Sequence, residues 1–73
     1  MVEVEIFGQL TGKLPRRQQM TLEHSLPARK LAVRLGLNPN EIGLVVINGK
    51  QADMQEEVPM DCRISFFPPL SGG

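Results

Sequence analysis

Only one stretch of this chain has the apolar spacing of an α-helix, and this limits how the rest can fold. Its apolar residues recur at intervals of three and four, the period of one helical face: Ala28, Leu31, Ala32 and Leu35. Ser25 precedes the stretch as a candidate N-cap, Pro27 is tolerated in a first helical turn, and Gly36 is placed to end the helix. A chain of 73 residues forms one small domain, so this single helix must cover one face of a sheet built by the remaining residues.

The other apolar segments have the patterns of strands. Residues 2–7 alternate with period two, residues 18–22 resume the alternation, and residues 44–47 form a continuous apolar run. Asn48-Gly49 then predicts a tight hairpin turn, because both central residues of a type I′ turn need positive φ. The last strand is predicted over residues 63–67, with Cys62, Ile64 and Phe66 on its inner side. The order strand, strand, helix, strand, short strand, strand predicts an α+β fold of the β-grasp (ubiquitin-like) type, with a mixed four- to five-stranded sheet spanning residues 1–67.

Residues 68–73 are predicted to be a flexible, projecting tail. Pro68 and Pro69 lack backbone N–H groups, so they must end the strand and send the chain out in an extended conformation. At about 3.3 Å per residue, the four steps from Pro69 to Gly73 reach roughly 13 Å from the body. Glycine has no Cβ, so Gly72 and Gly73 can pass through a channel that excludes larger residues, and we expect Gly73 to carry an unhindered terminal carboxylate.

Composition argues against several classes of function. Eight Lys and Arg residues balance eight Asp and Glu residues, so the net charge favours neither nucleic acid nor a membrane surface as a partner. Cys62 and His24 are single residues of their kinds, which excludes an internal disulfide and leaves a Cys/His zinc site without ligands. No apolar run approaches the roughly 20 residues of a membrane helix. We therefore expect a cytoplasmic protein that binds no metal or cofactor of its own.

Three segments give the chain a family resemblance: Phe7-Gly8-Gln9-Leu10, Val46-Ile47-Asn48-Gly49-Lys50, and the ending Ile64 to Gly73. Together they resemble the MoaD/ThiS family of small sulfur-carrier proteins. The double proline makes the ending more similar to that of MoaD, the small subunit of molybdopterin synthase, than to that of ThiS. The resemblance covers most of the chain. Two departures are the Asp61-Cys62 pair, where the family usually has Gly-Asp, and the basic cluster at Pro15-Arg16-Arg17.

The resemblance implies a carrier without catalytic activity of its own. A MoeB/ThiF-like adenylating enzyme, using ATP and Mg²⁺, would convert the carboxylate of Gly73 to an acyl-adenylate, and a sulfur donor would then leave a thiocarboxylate. The tail would next enter a MoaE-like large synthase subunit, which transfers the sulfur to a pterin precursor of molybdopterin. Gly73 would have the covalent role and Gly72 would provide clearance. The remaining tail residues would fill the channel mouth or aim the tail, namely Ser71, Leu70, Pro69 and Pro68.

Strand parity predicts a docking surface at the base of this tail. Ile64 and Phe66 should face the helix, which leaves Phe67 on the open face of the sheet, and the same parity places Phe7 there too. The first and last strands of a β-grasp sheet are neighbours, so the two aromatic side chains would form one apolar patch for a partner.

Three alternatives to the molybdopterin pathway are open at this stage. The first is a sulfur carrier for thiazole (thiamine), tungsten-cofactor or amino-acid sulfur insertion. The second is a ubiquitin-like protein modifier, whose Gly73 carbonyl is captured by a lysine amine. The third is an interaction domain with an inert tail.

Overall fold

A computed structural model describes residues 1–12 and 14–69 of the chain. Its main element is a five-stranded mixed sheet with the order β2-β1-β7-β4-β5, accompanied by a two-stranded ladder of β3 and β6. The elements are β1 (Val2–Ile6), β2 (Arg17–Met20), β3 (Leu26–Pro27), α1 (Ala28–Leu35), β4 (Leu44–Ile47), β5 (Lys50–Ala52), β6 (Glu57–Val58) and β7 (Cys62–Phe67), with 3₁₀ turns at Gly8–Thr11 and Pro39–Glu41.

The sheet has the β-grasp (ubiquitin-like) topology that the sequence predicts. β1 and β7 are parallel neighbours at its centre, with Val4 opposite Ile64 and Ile6 opposite Phe66, while β2 and β4 flank them in antiparallel pairing. The single helix lies on one face. β7 is the central strand, hydrogen-bonded to β1 on one side and to β4 on the other. The segment that follows β7 therefore leaves the sheet between two neighbouring strands.

The core lies between the helix and this face of the sheet, as the apolar spacing predicts. The residues of the helical stripe are buried, and the inward side chains of β1 and β7 meet them. The largest fully buried side chains include Phe66, Ile6, Leu31 and Ile64. Burial of apolar surface at about 25 cal/mol per Å² is the main stabilising contribution in a domain of this size.

The start of the helix differs from the prediction, because Ser25 is not its N-cap. Residues 26 and 27 form a short strand instead, and the Ser25 hydroxyl donates a hydrogen bond of 3.1 Å to the Glu57 carboxylate. The first helical N–H groups are satisfied by backbone carbonyls from a neighbouring loop: Ala28 donates to Glu56 at 2.9 Å and Arg29 to Met54 at 2.8 Å. A tertiary contact thus replaces the local side-chain cap, which no pattern within residues 25–28 could have indicated.

Both predicted glycine turns are present. Asn48 and Gly49 have φ values of 51° and 83°, as a type I′ hairpin requires, and they connect β4 to β5. Gly36 ends the helix with φ of 90°, and its N–H donates to the carbonyls of Ala32 and Val33. Within the described ranges, no helix is long and apolar enough to span a membrane.

Candidate functional site

The candidate site is the place where the chain leaves β7. The strand ends at Phe67, whose carbonyl oxygen accepts a hydrogen bond of 2.8 Å from the Gly43 N–H. On the other side, the Phe66 carbonyl oxygen accepts one of 3.0 Å from the Phe7 N–H. Pro68 and Pro69 follow, and they cannot donate hydrogen bonds to either neighbouring strand. The predicted end of the strand is therefore confirmed. The predicted site residues Leu70, Ser71, Gly72 and Gly73 lie outside the described residues.

Two glycines lie against the two prolines, and we call them the glycine seat (Gly8 and Gly43). A Cβ atom added to Gly8 would lie 2.8 Å from Cγ of Pro68, and one added to Gly43 would overlap Cα of Pro69 and lie 2.7 Å from its nitrogen. Real Cβ atoms essentially never approach other heavy atoms so closely. Both positions therefore have to be glycine for the chain to follow this course after β7.

Gly43 is a residue of this candidate site that the sequence reasoning did not identify. It immediately precedes the continuous apolar run of β4, where no turn is needed. A glycine beside a strand often marks the close approach of another backbone, and this signal was available in the sequence. What the sequence does not contain is the identity of the approaching segment, which depends on β4 lying antiparallel to β7 with Leu44 opposite Phe67.

Phe7 and Phe67 form a stacked pair beside the seat. Their ring centroids are 4.5 Å apart and their planes differ by 3°. Both side chains are half-buried, and both follow residues that face the helix, so the pair lies on the opposite side of the sheet, which we call the open face. The structure thus brings together the two aromatic residues that strand parity assigned to this face. Their role as a partner interface remains a prediction.

The open face has an apolar half and a charged half. Leu44 lies opposite Phe67 and Val46 opposite Ser65, so half-buried apolar side chains continue from the aromatic pair onto β4. Toward β2 the face is charged, with surface ion pairs Arg63–Glu3 at 3.2 Å and Arg17–Glu5 at 3.4 Å. Exposed pairs of this kind contribute little to stability. The apolar half is the one that adjoins Pro68.

Cys62 does not belong to this site. It lies at the opposite end of β7, opposite the buried Val2, and its thiol donates a hydrogen bond of 3.4 Å to the carbonyl oxygen of Pro59. Burial raises the pKa of the Cys62 thiol, and the neighbouring Asp61 carboxylate raises it further, while the positive amino terminus acts in the other direction. Partial burial on the inward side of β7, where strand parity places Cys62, thus makes the thiol a weaker nucleophile at neutral pH.

One comparison with known proteins bears on the fold, and it is a comparison with solved structures. No family model matches the chain, and no curated protein matches it by sequence. Among solved structures, the crystal structure of SAMP1 from Haloferax volcanii is similar, with a TM-score of 0.69 over 99% of this chain and 98% of that chain. The two sequences are 22% identical. The likeness extends over the whole of both chains and shows that they share one fold.

Proposed function

We propose that this chain is a ubiquitin-like sulfur carrier of the MoaD type, which carries sulfur as a thiocarboxylate on Gly73. The observation that supports this most is the exit of the chain from the central strand β7 through a glycine seat toward Pro68-Pro69 and a diglycine. Both glycines leave room for Pro68 and Pro69, so the body of the domain is shaped around the exit of this segment.

The chemistry of a carboxylate explains why such a carrier needs partners. At neutral pH the carboxylate of Gly73 is ionised and a poor electrophile, so it must first be activated. In this proposal a carboxylate oxygen attacks the α-phosphorus of ATP and pyrophosphate leaves, which gives the acyl-adenylate. Hydrosulfide supplied by a sulfur donor then attacks the carbonyl carbon and AMP leaves, so that a thiocarboxylate remains.

The catalytic groups for these steps belong to the partners. A MoeB/ThiF-like adenylating enzyme would bind ATP and Mg²⁺, and a MoaE-like large subunit would transfer the sulfur to the pterin precursor. The aromatic pair on the open face, Phe7 and Phe67, is the surface on which we propose that both partners dock. Phe67 directly precedes Pro68 in the chain, so a partner bound to this pair would be near the start of the tail.

A ubiquitin-like protein modifier is supported about equally by the same features. A lysine amine can also attack an acyl-adenylate on Gly73, either directly or after a thiol has displaced AMP to form a thioester, and the product is then an isopeptide. The β-grasp fold and the diglycine serve both outcomes. Which nucleophile reaches the activated carbonyl distinguishes the two functions.

Intact-mass spectrometry tests the proposal directly. The protein is incubated with a MoeB/ThiF-like enzyme, ATP, Mg²⁺ and a sulfur donor, and we expect replacement of one oxygen by sulfur at Gly73. A chain lacking Gly73 is the negative control, and Arg34→Ala, on the exposed helix surface, is the matched positive control. Adenylation followed by isopeptide linkage to lysines, without sulfur, would establish the modifier instead. Absence of adenylation would refute both functions.

A further inference from the structure

We infer that Gly8 and Gly43 are positioning residues, which fix the direction in which the chain leaves β7 and so deliver Gly73 to the activating enzyme. This inference rests on the proposed function and assigns a role to two residues of the body, neither of which reacts. Its basis is the contact of both glycines with Pro68 and Pro69.

Gly43 holds the backbone of the departing chain. Its N–H donates to the Phe67 carbonyl oxygen at 2.8 Å, and the space where its side chain would stand is occupied by the backbone of Pro69 and the carbonyl carbon of Pro68. Gly43 is not among the glycines with positive φ, so its own backbone conformation is one that any residue adopts. The need for glycine here is therefore a need for space, and the atoms that fill the space are main chain and cannot rotate away.

Gly8 limits the other side of the exit. Its missing Cβ leaves room for the ring of Pro68, whose Cγ and Cδ atoms would lie 2.8 and 3.2 Å from such an atom. Gly8 begins the 3₁₀ turn that follows β1, and Gly43 directly precedes β4. One glycine therefore lies next to each of the two strands that flank β7. The chain passes between them.

Pro68 and Pro69 are themselves stiff, which strengthens this constraint. Each has φ fixed near −65°, so these two residues, held by the glycines, leave β7 in a restricted direction. Ordering free residues costs conformational entropy, and a preoriented segment avoids part of that cost when it enters a partner. Misdirection of the chain would lower the rate of reaction at Gly73 while leaving docking through the open face unchanged.

The decisive variant is Gly43→Ala, compared with Gly36→Ala as control. Gly36 lies at the end of the helix with φ of 90° and open space around it, so alanine there costs backbone strain without touching the exit. We expect Gly43→Ala to lower kcat of adenylation about tenfold or more with KM within about twofold, and Gly36→Ala to leave both unchanged. In NMR spectra, NOEs between the Hα protons of Gly43 and Pro69 in the wild type should have no counterpart in Gly43→Ala, while core NOEs persist.

A second pair of variants removes the clash by a different route. The methyl group of Gly8→Ala meets side-chain atoms of Pro68, and Pro68→Ala removes those atoms. We expect Pro68→Ala alone to lower kcat. In the double variant, however, it should restore part of the kcat that Gly8→Ala loses. The strain of alanine at the φ of 64° of Gly8 is present in both Gly8 variants and cancels in the comparison. Additive losses in this cycle would contradict the contact.

The outcomes separate the inference from the proposed function. A folded Gly43→Ala protein with unchanged kcat, or a loss equalled by Gly36→Ala, would overturn the positioning role while adenylation of the wild type upholds the carrier. A wild type that is not adenylated would overturn the proposed function and the positioning role with it. In that case the NOEs between Gly43 and Pro69 would still show whether Pro69 lies against Gly43 in solution.

Discussion

The rings of Phe7 and Phe67 stack with centroids 4.5 Å apart and planes within 3° of parallel, although 60 positions separate them in the sequence. The parallel pairing of β1 and β7 causes this contact. Ile6 lies opposite Phe66, and both face the helix. The residues that follow them, Phe7 and Phe67, therefore turn to the open face at the same level. A half-buried aromatic pair beside Pro68 is the structural basis of the docking surface that we propose.

Replacement of either aromatic residue should weaken binding of the activating enzyme. We expect Phe67→Ala to lower the affinity about tenfold or more, since central aromatic residues contribute most to interface energy. Gln19→Ala, at an exposed position of the open face on the outer strand β2, should change the affinity less than about twofold. Isothermal titration calorimetry measures both. Equal affinities for wild type and Phe67→Ala would remove this pair from the interface.

The aromatic pair should also contribute to stability through mutual contact. A double-mutant cycle of Phe7→Ala and Phe67→Ala, measured by urea unfolding, should give a coupling energy of about 0.5–1.5 kcal/mol. Strictly additive losses would mean that the rings lie side by side without favourable interaction.

Core and surface positions should differ sharply in their effects on unfolding. Phe66 is 0% exposed, and Phe66→Ala should cost about 3–5 kcal/mol, which is most of the stability of a small domain. Val33 lies on the helix but is 59% exposed, so Val33→Ala should change stability by less than about 0.5 kcal/mol. Because Phe66→Ala risks complete unfolding, Phe66→Leu provides a measurable intermediate value in urea titrations.

Local pattern was enough to predict most of the fold. Three elements could be predicted because each depends on side chains or dihedral angles within a few residues. They are the strand over residues 2–6, the helix with its apolar face, and the Asn48-Gly49 turn. Parity along β1 and β7 also predicted that Phe7 and Phe67 share a face. These inferences needed only the alternation of neighbouring residues and the order of the strands.

The features that escaped prediction depend on partners distant in sequence. Ser25 has the residue type of an N-cap, yet the helix start is satisfied by carbonyls of Met54 and Glu56, and pairing with β6 makes residues 26 and 27 a strand. Gly43 is required only because Pro69 passes over it. A single sequence shows that residue 43 is glycine, but the reason why glycine is needed there is a tertiary contact.

Asn48 should stabilise the β4–β5 turn and the contact of this turn with β7 by two separate means. It adopts a φ of 51°, and its Oδ1 accepts a hydrogen bond of 3.0 Å from the Arg63 N–H. Asn48→Ala loses the bond and strains the backbone, so we expect a cost of about 2 kcal/mol in urea unfolding. Asn48→Asp keeps an acceptor and tolerates positive φ, so its cost should be less than half as large. Equal losses for the two variants would show that Oδ1 contributes nothing.

Cys62 should make the stability of the protein depend on pH in the alkaline range. Burial raises the pKa of this thiol above its ordinary value of 9.0, so the folded chain holds the proton more tightly than the unfolded chain. The resulting stabilisation is fully present below pH 9.0 and is lost as the pH rises through the higher folded pKa. The stability difference between wild type and Cys62→Ala should therefore be constant at neutral pH and should decrease above pH 9.0, as urea titrations at several pH values will show.

Alkylation of Cys62 reports the same shift from the reactivity of the thiol. Because the thiolate is the nucleophile, iodoacetamide at pH 8 should react more slowly with the folded protein than with the protein in urea. The Asp61 carboxylate contributes to the raised pKa, so Asp61→Asn should increase the rate in the folded state, whereas Asp53→Asn, at an acid that does not contribute, should leave it unchanged. A folded protein that reacts as fast as the unfolded one would show that the inward position of Cys62 opposite Val2 does not shield the thiol.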